Sequence, residues 1–446
     1  MEKNADSVLV IERLPLGTLK LDPRNPRHHS DRQIRQIARS IKAFGFNVPI
    51  LIDQNGKVVA GHGRYRAAEL LGIKAVPTIR LDHLTEAQAK AFMIADNRLS
   101  ETSEWDEQLL AESLRELCDL ELNFSIDATG FEMGEIDLKI ESLDDDASAP
   151  DDGADVVPSP ATRPAVSLPG DLWLLNEHRI LCGNALDTRA YEALMAGKRA
   201  AMVFCDPPYN VKIDGHASGL GRMHHPEFMM ASGEMSEAEF ASFLTLACAQ
   251  LARNSLDGSI HFICMDWGHA GELITAGRTA YSELKNICVW VKHNAGMGSF
   301  YRSQHELVFV FKAGRGPHRN NVQLGQFGRH RTNVWSYPGA NSFGRATDEG
   351  HLLALHPTVK PVRLVADAIL DCSVRRDIVL DPFLGSGTTL IAAERVRRTC
   401  YGMEIDPPYV DTVVRRWQAY AGGEAIHAVT ARRFNDSAAT MEARHG

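Results

Sequence analysis

The sequence predicts an α/β protein in which a large, mostly parallel sheet covered by helices follows a smaller α+β domain. The main observation is that short apolar segments alternate with helical patterns from residue 169 to about residue 430. A second observation is that a helix signal and then a hairpin signal occur before residue 143. At 446 residues, the chain is long enough for two or three units, each with its own core.

A stretch rich in Asp, Ala, Pro and Ser separates the two domains. It holds four prolines between Pro150 and Pro164, and such a composition cannot bury enough apolar surface to order itself. We therefore predict a first domain at 1–142, an acidic linker at 143–168, a second domain at 169–430 and a tail at 431–446.

Composition and charge exclude several classes of protein. Hydrophobic residues make up 44% of the chain and charged residues 24%, which fits neither a disordered nor a fibrous protein. No apolar run is long enough to cross a bilayer and the first residues lack a secretory signal, so we expect a cytoplasmic protein with no membrane partner. The net charge of −9 is unlike that of a simple nucleic-acid binder. The eight cysteines are dispersed without a C-x-x-C pair, and no metal site is expected.

The first domain is predicted to contain a capped helix and a hairpin. The segment Ser30-Asp31-Arg32-Gln33 has the pattern of a capping box and precedes apolar residues at helical spacing, so a helix should start near Asp31. Strands are expected at 48–52 and 57–59, because Asn55-Gly56 between them suits a tight reversal.

The second domain shows six apolar segments of strand length and two helix starts. Helices should begin after Ser236, which opens a second capping box, and near Pro361, because proline fits a first helical turn. The predicted strands are 201–205, 259–264, 286–291, 306–311, 378–380 and 399–403.

The first motif with chemical meaning is Asp206-Pro207-Pro208-Tyr209, which follows the predicted strand 201–205. Ligands bind at the carboxyl ends of such strands. The Asp206 carboxylate and the Pro207 carbonyl can accept N–H groups from an exocyclic base amine, whose lone pair would then be localised for attack on a methyl group. Pro207 and Pro208 stiffen this geometry, and Tyr209 offers a ring on which a flipped base can stack.

The same four letters recur at Asp406-Pro407-Pro408-Tyr409. This copy begins an amphipathic helix through Val413 and Trp417, so we interpret it as structural. An isolated motif of this kind is therefore weak evidence, and its position relative to the second motif decides its meaning.

The second motif is a glycine turn between a strand and a helix, in the run from Asp381 to Thr389. Gly385 and Gly387 allow a ligand to approach the backbone at a helix amino terminus. No lysine follows the second glycine, which disfavours a phosphate-binding ATPase loop. Glu404 lies about 20 residues later, where an acidic residue can bind a ribose. Together these features indicate an adenosyl cofactor.

With both motifs in hand, residues 169 to about 420 resemble the DNA amino-methyltransferases of the N6-adenine and N4-cytosine type, in the motif order of the beta class. The resemblance implies a doubly wound Rossmann-like methyltransferase sheet, S-adenosylmethionine as cofactor, and Asp206 to Tyr209 as the catalytic loop. It also implies that the cofactor is held by Asp381, Phe383, Gly385, Gly387, Thr388 and Glu404.

Two further segments are assigned through the same resemblance. His356-Pro357-Thr358-Val359-Lys360-Pro361 is similar to the family segment before the glycine motif, which implies that Thr358 and Lys360 reach the methionine carboxylate. The alternative for Lys360 is a solvated residue before a helix. Asn184 stands where the family has an aspartate that binds the adenine amine, and its amide oxygen can accept the same hydrogen bond.

The resemblance implies a site-specific DNA methyltransferase of the kind found in restriction-modification. The leading aspartate favours the N6 amine of adenine, because serine is commoner in that position among cytosine-N4 enzymes. Cytosine-N4 methylation, RNA methylation and an inactive DNA-binding adaptor remain alternatives. The intact Asp206, Tyr209, Gly385 and Gly387 argue against the adaptor.

Target recognition is expected in two basic, glycine-rich segments without regular pattern, residues 211–235 and 312–350. DNA is the expected partner, and a homodimer is a further option. Phosphate contacts are predicted for Arg315, Arg319, Arg329 and Arg331.

The first domain has its own resemblance, carried by the run Val59-Ala60-Gly61-His62-Gly63-Arg64-Tyr65-Arg66-Ala67-Ala68. Residues 10 to about 120 are similar to the ParB/sulfiredoxin-like fold. A glycine turn with arginines at a helix start can bind a nucleotide or phosphate, here through Gly61, Gly63, Arg64 and Arg66. His62-Gly63 replaces the Glu-Arg of the partition proteins, which argues against nucleotide hydrolysis. The alternative is a scaffold that positions the second domain on DNA.

Overall fold

The structure of the protein is a computed structural model that describes residues 9–144, 153–158, 165–210, 233–292, 300–325, 329–338 and 359–445. The chain divides into two compact units, Met1–Ser148 and Ala149–Gly446. Among the helices in the described ranges, none is both long and apolar enough to cross a membrane.

The first unit combines a sheet of four described strands with helices. The strands are β1 Ile11–Pro15, β2 Ile50–Ile52, β3 Val58–Ala60 and β4 Ala75–Arg80, in the order β1-β4-β2-β3. The helices are α1 Asp31–Phe44, α2 His62–Leu70, α3 Glu86–Glu101, α4 Glu107–Asp119 and α5 Met133–Asp144.

Both local predictions for this unit are confirmed. The hydroxyl of Ser30 accepts the Gln33 N–H at 3.2 Å and caps α1, which begins at Asp31 as expected. The strands β2 and β3 pair antiparallel as a hairpin. Buried apolar side chains of these two strands, such as Ile50 and Ile52, form its core.

The second unit is built on a mixed sheet of ten strands in the described ranges. They are β5 Leu172–Leu175, β6 His178–Cys182, β7 Ala200–Cys205, β8 Ser255–Met265, β9 Glu283–Val291, β10 His305–Lys312, β11 Val334–Ser336, β12 Ile378–Asp381, β13 Thr399–Glu404 and β14 Ala425–His427. The helices are α6 Thr188–Met195, α7 Glu237–Arg253, α8 Ala270–Ala280, α9 Val362–Cys372, α10 Thr388–Arg395, α11 Pro407–Ala421 and α12 Phe434–His445.

The sheet order is β11-β9-β10-β8-β7-β12-β13-β6-β5-β14, and the central strands β8, β7, β12, β13 and β6 run parallel. All six predicted strands are present and are slightly longer than predicted. The strands β9, β10, β5 and β14 add antiparallel pairs at the two sides. The sheet is therefore mixed, with a parallel centre.

Helices cover both faces of this sheet, as the doubly wound prediction requires. Successive side chains of a strand point to opposite faces. Along β7, Met202 and Phe204 join a core with α9, α10 and α11, whereas Val203 and Cys205 join a second core with α6, α7 and α8. The strand that leads to the first motif is thus buried on both sides.

Parts of the predicted linker pack on the second unit. The Asp155 carboxylate accepts the backbone N–H of Val362 at 2.9 Å, and the Ala154 carbonyl accepts from the Arg416 guanidinium at 2.8 Å. Further along, Ser167 donates its backbone N–H to Asp411 at 3.0 Å. These residues pack against the fold, which differs from the expectation drawn from their composition, because buried polar partners hold them and Ala154 and Val166 join the apolar core.

Candidate active site

Four polar residues of the two motifs and of the upstream segment meet at one edge of the sheet. Asp206 follows β7, Asp381 ends β12, Glu404 ends β13, and Asn184 follows β6. These strands are neighbours and run parallel, so their carboxyl ends lie at the same edge. This is where open α/β sheets bind ligands.

Asp206 lies in a buried cluster of charges. The Lys360 ammonium is 2.5 Å from Asp206 Oδ2 and 3.0 Å from Glu306 Oε2, and Lys360 is only 4% exposed. Lys292 donates to the other oxygen of Glu306. The Tyr209 hydroxyl donates to Asp206 Oδ1 at 2.5 Å and has Glu306 Oε2 as a second acceptor at 3.3 Å. The carboxylates of Asp206 and Glu306 therefore balance the ammonium groups of Lys292 and Lys360 in charge.

The cluster keeps its charges because each member has an opposite partner. Burial alone would lower the pKa of Lys360, but Asp206 and Glu306 raise it above its usual value. Burial would raise the pKa of Glu306, yet Lys360 and Lys292 lower it to about 2. Asp206 has one ammonium partner, Lys360, whereas Glu306 has two. Burial and the negative charge of Glu306 therefore keep the pKa of Asp206 above its usual value, although Lys360 lowers it.

The catalytic loop continues into a fixed turn. Asn210 has a positive φ of 55°, and its side-chain oxygen accepts the backbone N–H groups of Gly233 and Met235 at 3.1 and 3.2 Å. Its amide group donates to the Met235 carbonyl at 2.8 Å. Pro207 is buried, and Pro208 and Tyr209 are partly exposed. Asn210 thus ties the end of the loop to the segment before α7, a role that sequence reasoning had not assigned.

The glycine turn is organised by two buried carboxylates. Asp381 accepts the Thr389 hydroxyl at 2.6 Å and the Phe383 backbone N–H at 3.0 Å. Glu404 accepts the Gly385 backbone N–H at 2.8 Å. Gly385 and Gly387 have φ values of 53° and 87°, which disfavour residues with a Cβ. Gly387 caps α10, so the turn opens onto the amino terminus of that helix, with Thr388 as its first residue.

These two carboxylates fit a cofactor with cationic and hydroxyl groups. Burial raises the pKa of both Asp381 and Glu404 to about 7, and within the described residues neither forms an ion pair. Buried carboxylates without cations are costly when ionised. A ligand that brings positive charge and O–H or N–H donors would stabilise their ionised forms.

The structure places the remaining predicted cofactor residues as follows. The Lys360 ammonium contacts Asp206 and Glu306 and so belongs to the charge cluster, and its contact with a methionine carboxylate stays a prediction. The Asn184 side-chain oxygen accepts the Leu186 backbone N–H at 2.9 Å. The Phe383 ring packs 6.0 Å from the ring of Phe243. Thr358 lies outside the described residues.

Glu306 and Lys292 are components of the site that sequence reasoning missed. They flank the predicted strands 306–311 and 286–291, which pair antiparallel, and this pairing brings their ends together. The available signal was one charged residue at an end of each of two apolar segments. It could not be used before the strand pairing was known.

The structure corrects two of the four predicted phosphate contacts. Arg329 is 6% exposed and binds Asp371 at 2.8 Å and Asp367 at 3.0 Å, both on α9. Arg331 binds Asp371 at 3.2 Å and donates to the Tyr337 hydroxyl at 2.6 Å. These arginines are internal ion-pair partners, because their guanidinium groups are already occupied by buried carboxylates.

The other two arginines are exposed, and so is a group of aromatic side chains at the edge of the sheet that carries Asp206. Arg315 and Arg319 are both exposed. Trp267 is 65% exposed just after β8, and its indole N–H donates to Ser303 at 3.2 Å. Phe300 and Tyr301, before β10, are 86% and 81% exposed. Most of the predicted recognition segment 211–235 lies outside the described residues.

In the first unit, the predicted anion site forms the start of α2. Gly61 caps this helix with a φ of 102°. Arg64 folds back to donate to the Pro49 carbonyl at 3.2 Å, and burial lowers its pKa. Gly63 is buried within the helix, and Arg66 is exposed. Gly61 and Arg64 therefore meet at the helix start, whereas Arg66 faces solvent.

Comparison with known families agrees with this site. A family model described as DNA methylase, of the N6/N4 type, matches residues 200–415, which include both motifs and every member of the charge cluster. Residues 200–415 belong to this DNA methylase family. A ParB N-terminal domain model matches residues 1–97 of the methylase chain, and a ParB-methyltransferase HTH domain model matches residues 108–169. The last match extends across the segment predicted to be a linker.

Relatives of the DNA methylase are found for each unit separately. The ParB-like nuclease domain-containing protein YnaK of Escherichia coli (strain K12) is 47% identical over 74 residues, 17% of this chain and 85% of the relative. Type II methyltransferase M2.MboI of Moraxella bovis is 26% identical over 229 residues, 48% of this chain and 80% of the relative. Type II methyltransferase M.HinfI of Haemophilus influenzae is 27% identical over 237 residues, 48% of this chain and 62% of the relative.

Solved structures similar to the methylase include the M1.HpyAVI-SAM complex, which is 18% identical, with a TM-score of 0.37 over 53% of this chain and 98% of that one. PvuII DNA methyltransferase, described as cytosine-N4-specific, is 14% identical, with a TM-score of 0.41 over 58% of this chain and 94% of that one. By its family matches, the chain combines a DNA methylase domain of the N6/N4 type with an N-terminal ParB domain.

Proposed function

We propose that this protein is a site-specific methyltransferase that transfers a methyl group from S-adenosylmethionine to the N6 amine of adenine in DNA. The observation that carries the proposal is the Asp206 carboxylate at the carboxyl edge of the sheet, held by Lys360 and Tyr209. The carboxylates Asp381 and Glu404 end β12, the strand next to β7, and β13, the strand beyond it. These acids at one sheet edge suit a cationic adenosyl cofactor with ribose hydroxyls.

The proposed chemistry follows from hydrogen bonding at one atom. S-adenosylmethionine supplies an electrophilic methyl group when bound. Asp206 Oδ1 and the Pro207 carbonyl accept the two N–H groups of the target amine, which localises the nitrogen lone pair for attack. The Tyr209 ring, whose centroid is 5.7 Å from the Lys360 ammonium, provides a face for the flipped base.

Adenine is proposed over cytosine because the motif begins with aspartate. A carboxylate accepts from an amine more strongly than a serine hydroxyl does, since charge-assisted hydrogen bonds are roughly twice as strong as neutral ones. Cytosine N4 remains the second candidate, because its exocyclic amine would meet the same acceptors.

The test is methylation of duplex DNA by the full chain with S-adenosylmethionine that carries a labelled methyl group. Nucleoside analysis should give N6-methyladenine. The variant Asp206→Ala should lose transfer and keep cofactor binding, whereas Asp406→Ala, in the second copy of the motif, should keep transfer. A product methylated only at cytosine N4 would reassign the substrate, and no methylated base at all would refute the proposal.

Further proposals concern what the enzyme contacts. Arg315 and Arg319 are proposed as phosphate contacts, and the exposed rings of Trp267, Phe300 and Tyr301 as a surface on which bases stack at the catalytic edge. The turn at Gly61 is proposed to bind a nucleotide or phosphate in the ParB domain, because its N-terminal helix position favours anions.

A further inference from the structure

Glu306 is the second carboxylate beside the catalytic aspartate. It lies near the start of β10 and is 8% exposed. Its Oε2 atom is 3.0 Å from the Lys360 ammonium, and its Oε1 atom accepts from Lys292. Neither the base acceptors nor the cofactor carboxylates of the proposed function include this residue.

A buried carboxylate is costly unless opposite charges and hydrogen bonds hold it. Glu306 has two ammonium partners, and burial is outweighed by Lys360 and Lys292, so its pKa is about 2. It therefore stays ionised at every pH at which the enzyme would work. A fixed negative charge here gives the Lys360 ammonium a second anchor besides Asp206, so that the position of the lysine does not depend on the aspartate alone when a substrate binds.

The Tyr209 hydroxyl links the two carboxylates. It has a single proton, so it can donate to Asp206 Oδ1, at 2.5 Å, or to Glu306 Oε2, at 3.3 Å, but not to both at full strength. In the structure, Asp206 receives this hydrogen bond on Oδ1 and that of the lysine on Oδ2. A base amine that binds Oδ1 competes with the tyrosine hydroxyl, which then has Glu306 as its alternative acceptor.

We propose that Glu306 is a positioning residue for methyl transfer, which fixes the Lys360 ammonium against Asp206 and accepts the Tyr209 hydroxyl when the base amine takes Asp206 Oδ1. The inference rests on the proposed function. It requires no movement larger than a rotation of the hydroxyl, and it assigns Glu306 no contact with base or cofactor.

The inference also predicts the direction of a pH effect. The titratable groups that face Asp206 are Lys360, Glu306, Tyr209, the thiols of Cys205 and Cys264, and Asp381. Burial raises the pKa of both thiols well above the usual value, so they stay neutral. The negative charge of Glu306 contributes to the raised pKa of Asp206. Its removal should therefore lower the pKa of Asp206 and move the acid limb of kcat to lower pH.

The experiment compares Glu306→Gln with Glu306→Asp and with Glu283→Gln, an exposed glutamate on the neighbouring strand β9. Steady-state kinetics on duplex DNA, cofactor binding and thermal unfolding are measured for each. Glu306→Gln should lower kcat by roughly 10- to 100-fold, with KM and cofactor affinity close to wild type, because the loss is one of positioning. Glu306→Asp keeps the charge and should recover part of kcat, and Glu283→Gln should behave as wild type.

The double variant Glu306→Gln with Tyr209→Phe tests the shared hydroxyl. Without the hydroxyl, Asp206 Oδ1 is free for the amine, so the double variant should be faster than the product of the two single effects predicts. Additive effects would contradict the role of Glu306 as the alternative acceptor.

A kcat for Glu306→Gln within about twofold of wild type would overturn the inference. So would a fall in kcat that is matched by equal losses of cofactor affinity and thermal stability, because that pattern indicates a purely structural role. If Glu306→Gln does not fold, Glu306→Asp decides, and a wild-type kcat for it refutes the proposal. An inactive wild-type enzyme would refute the proposed function instead. In that case a crystal structure of Glu306→Gln tests this inference, which requires the Lys360 ammonium to shift from the position that Glu306 gives it, and an unchanged position refutes it.

Discussion

The ammonium of Lys360 lies 2.5 Å from the carboxylate of Asp206, although the two residues are 154 positions apart in the sequence. Asp206 belongs to the loop after β7, and Lys360 immediately precedes α9. The contact joins the catalytic motif to a segment that sequence resemblance assigned to the cofactor. The stability and the activity expected of this enzyme both depend on this contact between Lys360 and Asp206.

Replacement of Lys360 should remove both stability and activity. Lys360→Met leaves Asp206 and Glu306 as neighbouring buried carboxylates, and breaking a buried ion pair in this way costs about 3–5 kcal/mol. In the variant both carboxyl groups should have raised pKa values, so the loss of stability should be larger at high pH than at acid pH. Chemical denaturation across a pH series measures this.

The control for this prediction is Lys285→Met. Lys285 pairs with Glu283 at 3.0 Å on the exposed part of β9, and surface pairs contribute only about 0–1 kcal/mol. Equal stability of Lys360→Met and Lys285→Met would contradict the assignment of Lys360 to a buried charge cluster.

Cofactor binding should tighten as the pH rises through 7. Burial raises the pKa of Asp381 and Glu404 to about 7, so both carboxyl groups are largely protonated below that value and ionised above it. A ligand that favours the ionised form of one such group should gain about tenfold in affinity between about pH 6 and about pH 8. Calorimetry with S-adenosylmethionine measures the change, and an affinity independent of pH would contradict it.

Asp381→Asn provides the matched comparison for that titration. The asparagine can keep the bond from the Phe383 N–H and cannot titrate, so affinity should be lower and less dependent on pH. The pKa of Asp381 is higher in the folded protein than in the unfolded chain. The free energy of unfolding of the wild type therefore falls as the pH rises from the unfolded pKa to about 7. Ligand-free Asp381→Asn should therefore be at least as stable as wild type at about pH 8.

Replacement of the four arginines predicted to contact phosphates should have two different effects, on stability for one pair and on DNA binding for the other. Arg329→Met breaks buried ion pairs with Asp367 and Asp371 and should destabilise the fold by about 3–5 kcal/mol. Arg315→Ala and Arg319→Ala change exposed side chains and should alter stability by no more than about 0.5 kcal/mol. They should weaken DNA binding and reduce its salt dependence, measured as the slope of log affinity against log salt. An unchanged slope would exclude them as phosphate contacts.

Asp155 lies in the segment that composition predicts to be a linker, and its replacement should affect the active site. Its carboxylate accepts the backbone N–H of Val362, the first residue of α9 and two positions after Lys360. Asp155→Ala should destabilise the second unit by roughly 0.5–2 kcal/mol, as loss of a helix-capping group does, and should lower kcat. Asp155→Asn retains an acceptor oxygen and should be nearly neutral. Similar losses for both variants would show that charge rather than capping matters.

Local pattern was sufficient for a large part of the fold. The capping box at Ser236, the helix cap at Ser30 and the six apolar strands of the second unit were predicted and are present, because hydrogen bonds within a few residues and burial on both faces fix them. At Ser30 the serine caps the helix, but the Gln33 side chain contacts His29 and does not complete the predicted capping box. Four strands of the second unit, β5, β6, β11 and β14, were missed. They are short, and their pairing is decided by distant partners rather than by their own composition.

The sequence by itself determined that Asp206, Asp381 and Glu404 would share one edge, since each follows a buried strand and parallel strands end together. Only the tertiary structure decided which cations meet which acids. It placed Lys360 on Asp206, Lys292 on Glu306, and Arg329 and Arg331 on the carboxylates of α9. The reason is physical: a charge takes its pKa and its role from neighbours within a few ångströms, and strand order and helix packing bring those neighbours together from distant parts of the chain.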